Sequence, residues 1–288
     1  MIKDNQLPEL IQVLTPSASS NDEFTFDNLF IGSPNVYGGQ VLAQAVAASN
    51  HTITDGKFLH SMHAYFMHPG DNSLPIDYKV TTMKNGRSFD MRRVVASQLG
   101  KEIFEMMLSY QIFETGIEHQ AIMPNVARPE SLTSFSEIFA EYAAKFNIEP
   151  RGIFSPKGPF VFHPVEHYDP FNPTLRPAIN HTWFKTNGTL PDNPLLHQAT
   201  LAYASDFNLL VTALLPHKIS FFTTPMQIAS LDHAMWFHRP IKTDEWLLYV
   251  VESSNAINGR AFCTGKIFDL HGNLIASTAQ EGLIRLLK

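Results

Sequence analysis

The sequence predicts an α+β fold of two tandem units, each an antiparallel sheet wrapped around one central helix. Two pairs of similar stretches support the duplication: MHAYFMHPGD from Met62 with LDHAMWFHRP from Leu231, and NGRSFDMRRVVASQLGKEIFEM from Asn85 with NGRAFCTGKIFDLHGNLIAST from Asn258. In both copies a nearly uncharged helical segment precedes alternating segments that are separated by Asn, Asp and Gly, as strands joined by turns are. The chain therefore contains one unit twice.

Each copy is predicted to contain a short strand, a helix and four further strands. In the first copy the elements are Phe24 to Ile31, Gly39 to Ser49, 58–68, 75–84, 87–99 and 102–114. In the second copy they are His181 to Thr186, Ala199 to Leu215, 227–238, 245–254, 259–270 and 273–286. Short turns favour antiparallel pairing, because a parallel pair needs a crossover of about a dozen residues. Each copy is therefore expected to be a meander.

The two predicted helices, GQVLAQAVAAS and ATLAYASDFNLLVTALL, carry almost no charge. A helix without a polar face must be surrounded by protein, and a sheet curled around it meets that need. We expect the two sheets to join edge to edge into one surface, because exposed strand edges invite aggregation.

The predicted units are residues 1–120 and 181–288. Residues 121–180 between them hold 9 of the 19 prolines and one helix-like run, ESLTSFSEIFAEYAAKF. We interpret this segment as a Pro-rich connector with one helix and assign no chemistry to it.

The composition argues against several classes of protein. A formal charge of -6 without a block of Lys or Arg argues against a nucleic-acid partner, since phosphate neutralisation needs clustered cations. The sequence has no signal-like start and no long apolar run, so we expect no membrane partner. The single cysteine, Cys263, fits a reducing, cytoplasmic location. With only 17% charged residues and 22 phenylalanines, the chain is expected to form a homo-oligomer.

The GxSxG, GxGxxG, GxxxxGK[ST] and HExxH motifs are absent, so any chemistry must be carried by residues outside these motifs. Asp206 is the first candidate. It is the only charged residue between Leu201 and Leu215, and a buried carboxylate is costly unless it is hydrogen-bonded. The structural alternative is a helix cap or break at Asp206 and Asn208. Aligning the copies places Asp206 opposite Ala47, which favours a functional role in one copy.

Gln280 is the second candidate, since strand alternation turns it inward while Glu281 faces outward. An inward amide needs several hydrogen-bond partners, and its counterpart in the first copy is Leu108. The alternative is a structural amide that is satisfied by its neighbours.

The histidines do not indicate a metal site. Strand geometry predicts His60 and His63 on opposite faces, and His68, His233 and His238 add no spacing for three convergent ligands. We therefore expect strand histidines with structural partners and no metal.

Five motifs in order, VYGGQVLAQA, ASDFNLL, QIASLDHAMWFHRP, DEWLLYVVES and STAQEGLIR, resemble the acyl-CoA thioesterase II family of tandem hotdog proteins. The resemblance spans nearly the whole chain and implies a double hotdog fold. It makes LDHAMWFHRP the central strand of the second hotdog, with its aromatic side chains packed on the helix.

The resemblance also implies an activity, the hydrolysis of fatty acyl-CoA to fatty acid and CoA, with no cofactor. The family holds a water with an Asp, a Thr or Ser, and a Gln, roles that fall here on Asp206, Ser230 and Gln280 by motif. Ser in place of Thr keeps the hydroxyl. A helix N-terminus at Gly38 and Gly39 is a candidate donor to the thioester carbonyl oxygen.

Two other functions stay open from the sequence. A hotdog hydratase would be expected to pair a His with its acid, and no such pair is apparent in the predicted helices. A catalytically silent acyl-CoA-binding protein would be expected to have lost one of the three polar residues, and all three are present.

Overall fold

The computed structural model describes residues 5–53, 56–146, 150, 155–166 and 169–287. The helices are α1 (Leu7–Val13), α2 (Gly38–Asn50), α3 (Phe135–Phe146), α4 (Pro194–Ser205) and α5 (Leu209–Thr212). The strands are β1 (Ala18–Ser20), β2 (Glu23–Phe26), β3 (Lys57–Phe66), β4 (Ile76–Asn85), β5 (Phe89–Gln98), β6 (Lys101–Ile112), β7 (Phe160–Pro164), β8 (Ile179–Thr186), β9 (Met226–Ser230), β10 (Asp232–Phe237), β11 (Leu247–Ile257), β12 (Arg260–Asp269) and β13 (Leu274–Leu286).

The described strands form one continuous sheet, which confirms the predicted edge-to-edge join. Their order is β1-β2-β4-β5-β6-β3-β10-β13-β12-β11-β8-β7, and β9 also pairs with β13. The two halves meet where β3 pairs antiparallel with β10, in the register that sets Met62 opposite Met235. The predicted α+β architecture with two antiparallel halves is confirmed.

The prediction that each copy is a meander is only partly right. Strands β4, β5 and β6 follow one another in the sheet, as do β11, β12 and β13, but β3 pairs with β6 and β10 with β13. The connection from β3 to β4, residues 67–75, contains Pro69, Gly70 and Pro75. It is too long for a tight hairpin, so the chain crosses the end of the sheet before β4 begins.

The two central helices are enclosed, as their lack of charge predicted. In α2 every residue from Gly39 to Asn50 is buried, and in α4 every residue from His197 to Ser205 is buried. The helices also pack on each other: the Tyr37 hydroxyl, at the start of α2, donates a 3.1 Å hydrogen bond to the Tyr203 carbonyl in α4.

Several predicted elements differ from the observed ones. The helix predicted from Ala199 to Leu215 is interrupted after Ser205, because Asn208 has a left-handed backbone with φ of 62°. The strand predicted over 227–238 is divided into β9 and β10 at Leu231.

The segment 121–180 contains more than the one predicted helix. Strand β7 lies within it and pairs with β8, so it extends the sheet of the second half, and Phe160 and Phe162 on β7 are buried in the core. The unit boundaries at residues 120 and 180 stay predictions. The outer bounds, residues 1 and 288, lie outside the described residues.

Among the described residues, no helix is long and apolar enough to cross a membrane.

Candidate active site

Asp206 lies where the C-terminal end of α4 meets the N-terminal end of α2. It directly follows the last residue of α4 as the C-cap. The last carbonyls of a helix need partners outside it, and here the hydroxyls of Tyr37 and Tyr249 donate to the carbonyls of Tyr203 and Ser205, at 3.1 and 2.9 Å. The end of α4 is thereby held in place, and the carboxylate of Asp206 is aimed at α2.

Gly38 and Gly39 allow this close approach. A Cβ at Gly38 would lie 2.7 Å from Asp206 Oδ2, and one at Gly39 would lie 2.3 Å from the Tyr203 carbonyl oxygen. The Gly39 N–H donates a hydrogen bond to the Asp206 carboxylate, and the N-terminal end of α2 favours negative charge. Of the two candidate donors, Gly39 thus serves the carboxylate, while Gly38 lines the open cleft.

The three side chains singled out in the sequence are joined by hydrogen bonds. The Ser230 hydroxyl donates to Asp206 Oδ1 at 3.0 Å, and Gln280 Nε2 donates to Ser230 Oγ at 2.9 Å. Gln280 also hydrogen-bonds to the carboxylate directly. The three side chains therefore converge on one location, where Asp206 accepts, Ser230 both accepts and donates, and Gln280 donates.

A fourth residue, His233, was missed as part of this group. Its ring is fully buried; Nδ1 contacts Gln280 Oε1, and Nε2 lies 3.0 Å from Ser205 Oγ. Ser230 and His233 are three positions apart, so an unbroken strand would point them to opposite faces.

A shift in strand register brings Ser230 and His233 to the same face. Ser230 pairs with Gly282 in the ladder between β9 and β13, whereas Ala234 pairs with Ala279 in the ladder between β10 and β13. The register therefore changes by one residue at Leu231, as in a β-bulge. The only sequence signal for His233 was a histidine in a strand otherwise rich in apolar residues.

Burial shifts the proton affinity of both titratable groups. Desolvation raises the pKa of Asp206 to about 6, although hydrogen bonds from Ser230, Gln280 and the Gly39 N–H oppose the rise. Desolvation lowers the pKa of His233 to about 4, and its hydrogen bond with Gln280 opposes the fall. At neutral pH the site therefore holds a carboxylate and an uncharged imidazole, a combination suited to accepting a proton at Asp206.

A cleft of about 720 Å³ opens onto the three polar side chains. Asp206, Ser230 and Gln280 line it together with apolar side chains from both halves of the molecule: Val41, Phe66, Phe104, Leu209, Leu210 and Ile228. A largely apolar cleft with a few convergent polar groups is the usual form of a small-molecule site.

The histidine prediction was wrong in one respect. A register shift between Leu59 and Ser61 places His60 on the same outer face as His63, and each has a partner there. His60 Nε2 lies 2.8 Å from Ser109 Oγ, and His63 packs edge-on against Trp236. In the part of the chain that the structure describes, no three His, Cys, Asp or Glu side chains are grouped as a metal site.

The aromatic side chains of LDHAMWFHRP divide between the two faces of the sheet. Strand β10 is the edge strand of the second half, where it pairs with β3 of the first half, so the expectation that it is the central strand of the second hotdog was wrong. Phe237 on this strand is buried. Trp236 instead lies on the outer face against His63, so the expectation that both aromatic residues pack on the helix was wrong for Trp236.

Comparison with known proteins identifies two family models that match this chain. The model described as acyl-CoA thioesterase matches residues 153–283, and the model described as acyl-CoA thioesterase N-terminal domain matches residues 30–111. The two matches fall on the two halves of the sheet.

Individual relatives match over almost the full length. Acyl-CoA thioesterase 2 of Haemophilus influenzae is 40% identical over 279 residues, 97% of this chain and 98% of that protein. Acyl-coenzyme A thioesterase 8 of Homo sapiens is 32% identical, over 95% of this chain and 88% of that protein. The crystal structure of an acyl-CoA thioesterase II from Mycobacterium marinum superposes with a TM-score of 0.78 at 32% identity, covering 97% of this chain and 99% of that one.

Proposed function

This chain belongs to the acyl-CoA thioesterase II family, and we propose that its Asp206, Ser230 and Gln280 together hold the water that attacks the thioester. As a member of the family, the protein hydrolyses acyl-CoA thioesters to a free acid and CoA. The observation that supports these residues is their continuous hydrogen bonding at the floor of the cleft.

The proposed reaction begins with a water between Asp206 and the thioester carbonyl carbon. The water oxygen forms a bond to that carbon while Asp206 accepts one of its protons. The tetrahedral intermediate then collapses, the C–S bond breaks, and CoA leaves as a thiolate. A thiol with an ordinary pKa of about 8.5 is a good leaving group, so no separate general acid is required. The proton on Asp206 returns to the thiolate or to solvent.

Ser230 and Gln280 hold the Asp206 carboxylate in the orientation that this step needs. Gln280 donates to Ser230 and to the carboxylate, and Ser230 donates to Asp206 Oδ1. These donors keep Asp206 ionised at neutral pH in spite of its burial. They also fix the carboxylate, so that its remaining lone pairs face the cleft and the water.

The Gly38 N–H is the proposed donor to the carbonyl oxygen of the substrate. Gly38 lies in the first turn of α2, where backbone N–H groups have no partner within the helix, and it lines the cleft beside Asp206. A donor at that point would stabilise the negative charge that develops on the oxygen.

A fatty acyl chain is the proposed substrate group. Apolar side chains from α2, β3, β6 and the α5 region line the cleft next to the polar site: Val41, Phe66, Phe104, Leu209 and Leu210. Burial of methylene groups against them contributes roughly 0.8 kcal/mol each. A hydratase is not supported, because both ring nitrogens of His233 are already engaged by Gln280 and Ser205.

The test is thiol release from a panel of acyl-CoAs by the wild-type protein and by Asp206→Asn. Asn fills the same space but cannot accept a proton, so kcat is expected to fall by roughly 10² to 10⁴ with little change in KM. A soluble Asp206→Asn protein with near-normal turnover would return Asp206 to a structural role. Release measured across chain lengths from acetyl to palmitoyl tests the fatty acyl assignment separately.

Cytoplasmic location and homo-oligomerisation also belong to the proposal. The free, buried thiol of Cys263 fits a reducing compartment. Exposed aromatic side chains such as Tyr65 and Phe113 provide apolar surface for contact between copies. Cell fractionation and sedimentation of the purified chain test these two points.

A further inference from the structure

We infer that His233 is a positioning residue that fixes the orientation of the Gln280 amide. The inference rests on the proposed function of Gln280 and extends it to a residue that does not touch the cleft. His233 and Gln280 lie opposite each other on β10 and β13, as the pairing of Ala234 with Ala279 requires. They face the same side of the sheet, and Nδ1 contacts Oε1 there.

The protons in this contact can be placed by elimination. The Oε1 atom of Gln280 can only accept, so Nδ1 of His233 must carry a hydrogen and donate it. The buried ring is uncharged at neutral pH, so Nε2 carries no hydrogen and accepts one. Ser205 Oγ lies 3.0 Å from Nε2 and 2.9 Å from the Ala202 carbonyl oxygen. In this arrangement its single hydrogen turns to Nε2 in place of that carbonyl.

This arrangement decides which end of the Gln280 amide faces the catalytic acid. With Oε1 held by His233, the NH₂ group must point to Ser230, at 2.9 Å. The Ser230 oxygen then accepts from Gln280, and its hydrogen is directed to Asp206. A reversed amide would offer Oε1 to Ser230 and draw that hydrogen away from the carboxylate. His233 therefore sets the donor and acceptor in each hydrogen bond of the series from Gln280 through Ser230 to Asp206.

A matched pair of substitutions separates this role from simple packing. In Asn the amide nitrogen is bonded to Cγ, as Nδ1 of histidine is, so His233→Asn keeps a donor next to Gln280 Oε1. In Gln the amide lies one bond further out, towards Ser205, and the donor at Gln280 is lost. We expect His233→Gln to lower kcat on the order of 10²-fold without raising KM, and His233→Asn to lower it much less. His63→Gln, on the outer face, is the control and leaves kcat unchanged.

A double variant tests whether His233 acts through Gln280. If it does, His233→Gln combined with Gln280→Ala is no slower than Gln280→Ala alone. Additive losses, or equal losses in the Asn and Gln variants, overturn the inference. If His233→Gln does not fold, a fall in kcat for His233→Asn as large as the fall for Gln280→Ala overturns the inference. A Gln280→Ala protein with normal kcat would instead refute the proposed function itself.

Discussion

Replacing Asp206 with Asn is expected to stabilise the fold at neutral pH while it removes activity. Burial raises the pKa of Asp206 from 3.8 to about 6, so the folded chain holds this proton more tightly than the unfolded chain. The stabilisation from the raised pKa is fully present when the pH is below the pKa of Asp206 in the unfolded chain. It is lost as the pH rises through the folded-state pKa of about 6. A shift of about two units corresponds to at most about 3 kcal/mol. Cleft solvent reaches part of the carboxylate, so we expect about 1 to 3 kcal/mol.

The assay is urea unfolding of the wild type and Asp206→Asn at several pH values. The variant is expected to have the larger free energy of unfolding at about pH 7.5, and the difference is expected to shrink towards about pH 4. Asp22→Asn is the matched control, because Asp22 is exposed and its replacement should give no such trend. A variant less stable than the wild type at neutral pH, or a difference independent of pH, would refute the assignment of a desolvated carboxylate.

Four further predictions concern activity. The kcat of the wild type is expected to fall below about pH 6, where Asp206 becomes protonated, and a flat acidic limb in the pH profile would contradict a catalytic carboxylate. Asp206→Asn combined with Gln280→Ala is expected to lose less than the product of the two single losses, since both act on one water; steady-state thiol release measures this. Gly38→Ala is expected to lower kcat, because a Cβ would lie 2.7 Å from Asp206 Oδ2, whereas Gly116→Ala, with nothing within 4 Å, is expected to match the wild type in the same assay. EDTA is expected to leave thiol release unchanged, and loss of activity that added metal restores would show that a metal takes part.

Much of the fold could be predicted because its signals are local. The uncharged sequence of α2 indicated a buried helix, and α2 is buried from Gly39 to Asn50. Alternation along the last strand turned Gln280 inward, and its side chain is 1% exposed. Repetition of the same motifs then indicated that the second half would be built like the first.

The remaining features depend on contacts that are distant in sequence. The order in which β3 and β10 enter the sheet is decided by the crossing connections, which local patterns do not encode. The register shift at Leu231 inverts the face of every later residue in the strand, so alternation alone would place Ser230 and His233 on opposite sides. The end of α4 at Asp206 is stabilised by hydroxyls from Tyr37 and Tyr249, which lie in other elements.

The site draws Gly38 and Gly39 from one half of the chain and its acid from the other, which bears on how such a protein can evolve. In a symmetric pair of identical half-length chains, any residue change appears in both sites at once. Fusion into one chain removes that constraint. Ala47 and Leu108 align with Asp206 and Gln280, and both are buried and apolar. The corresponding location in the first half of the chain therefore avoids the destabilisation of another buried carboxylate. One half is thereby free to diverge for stability and the shape of the cleft, while the other retains the chemistry.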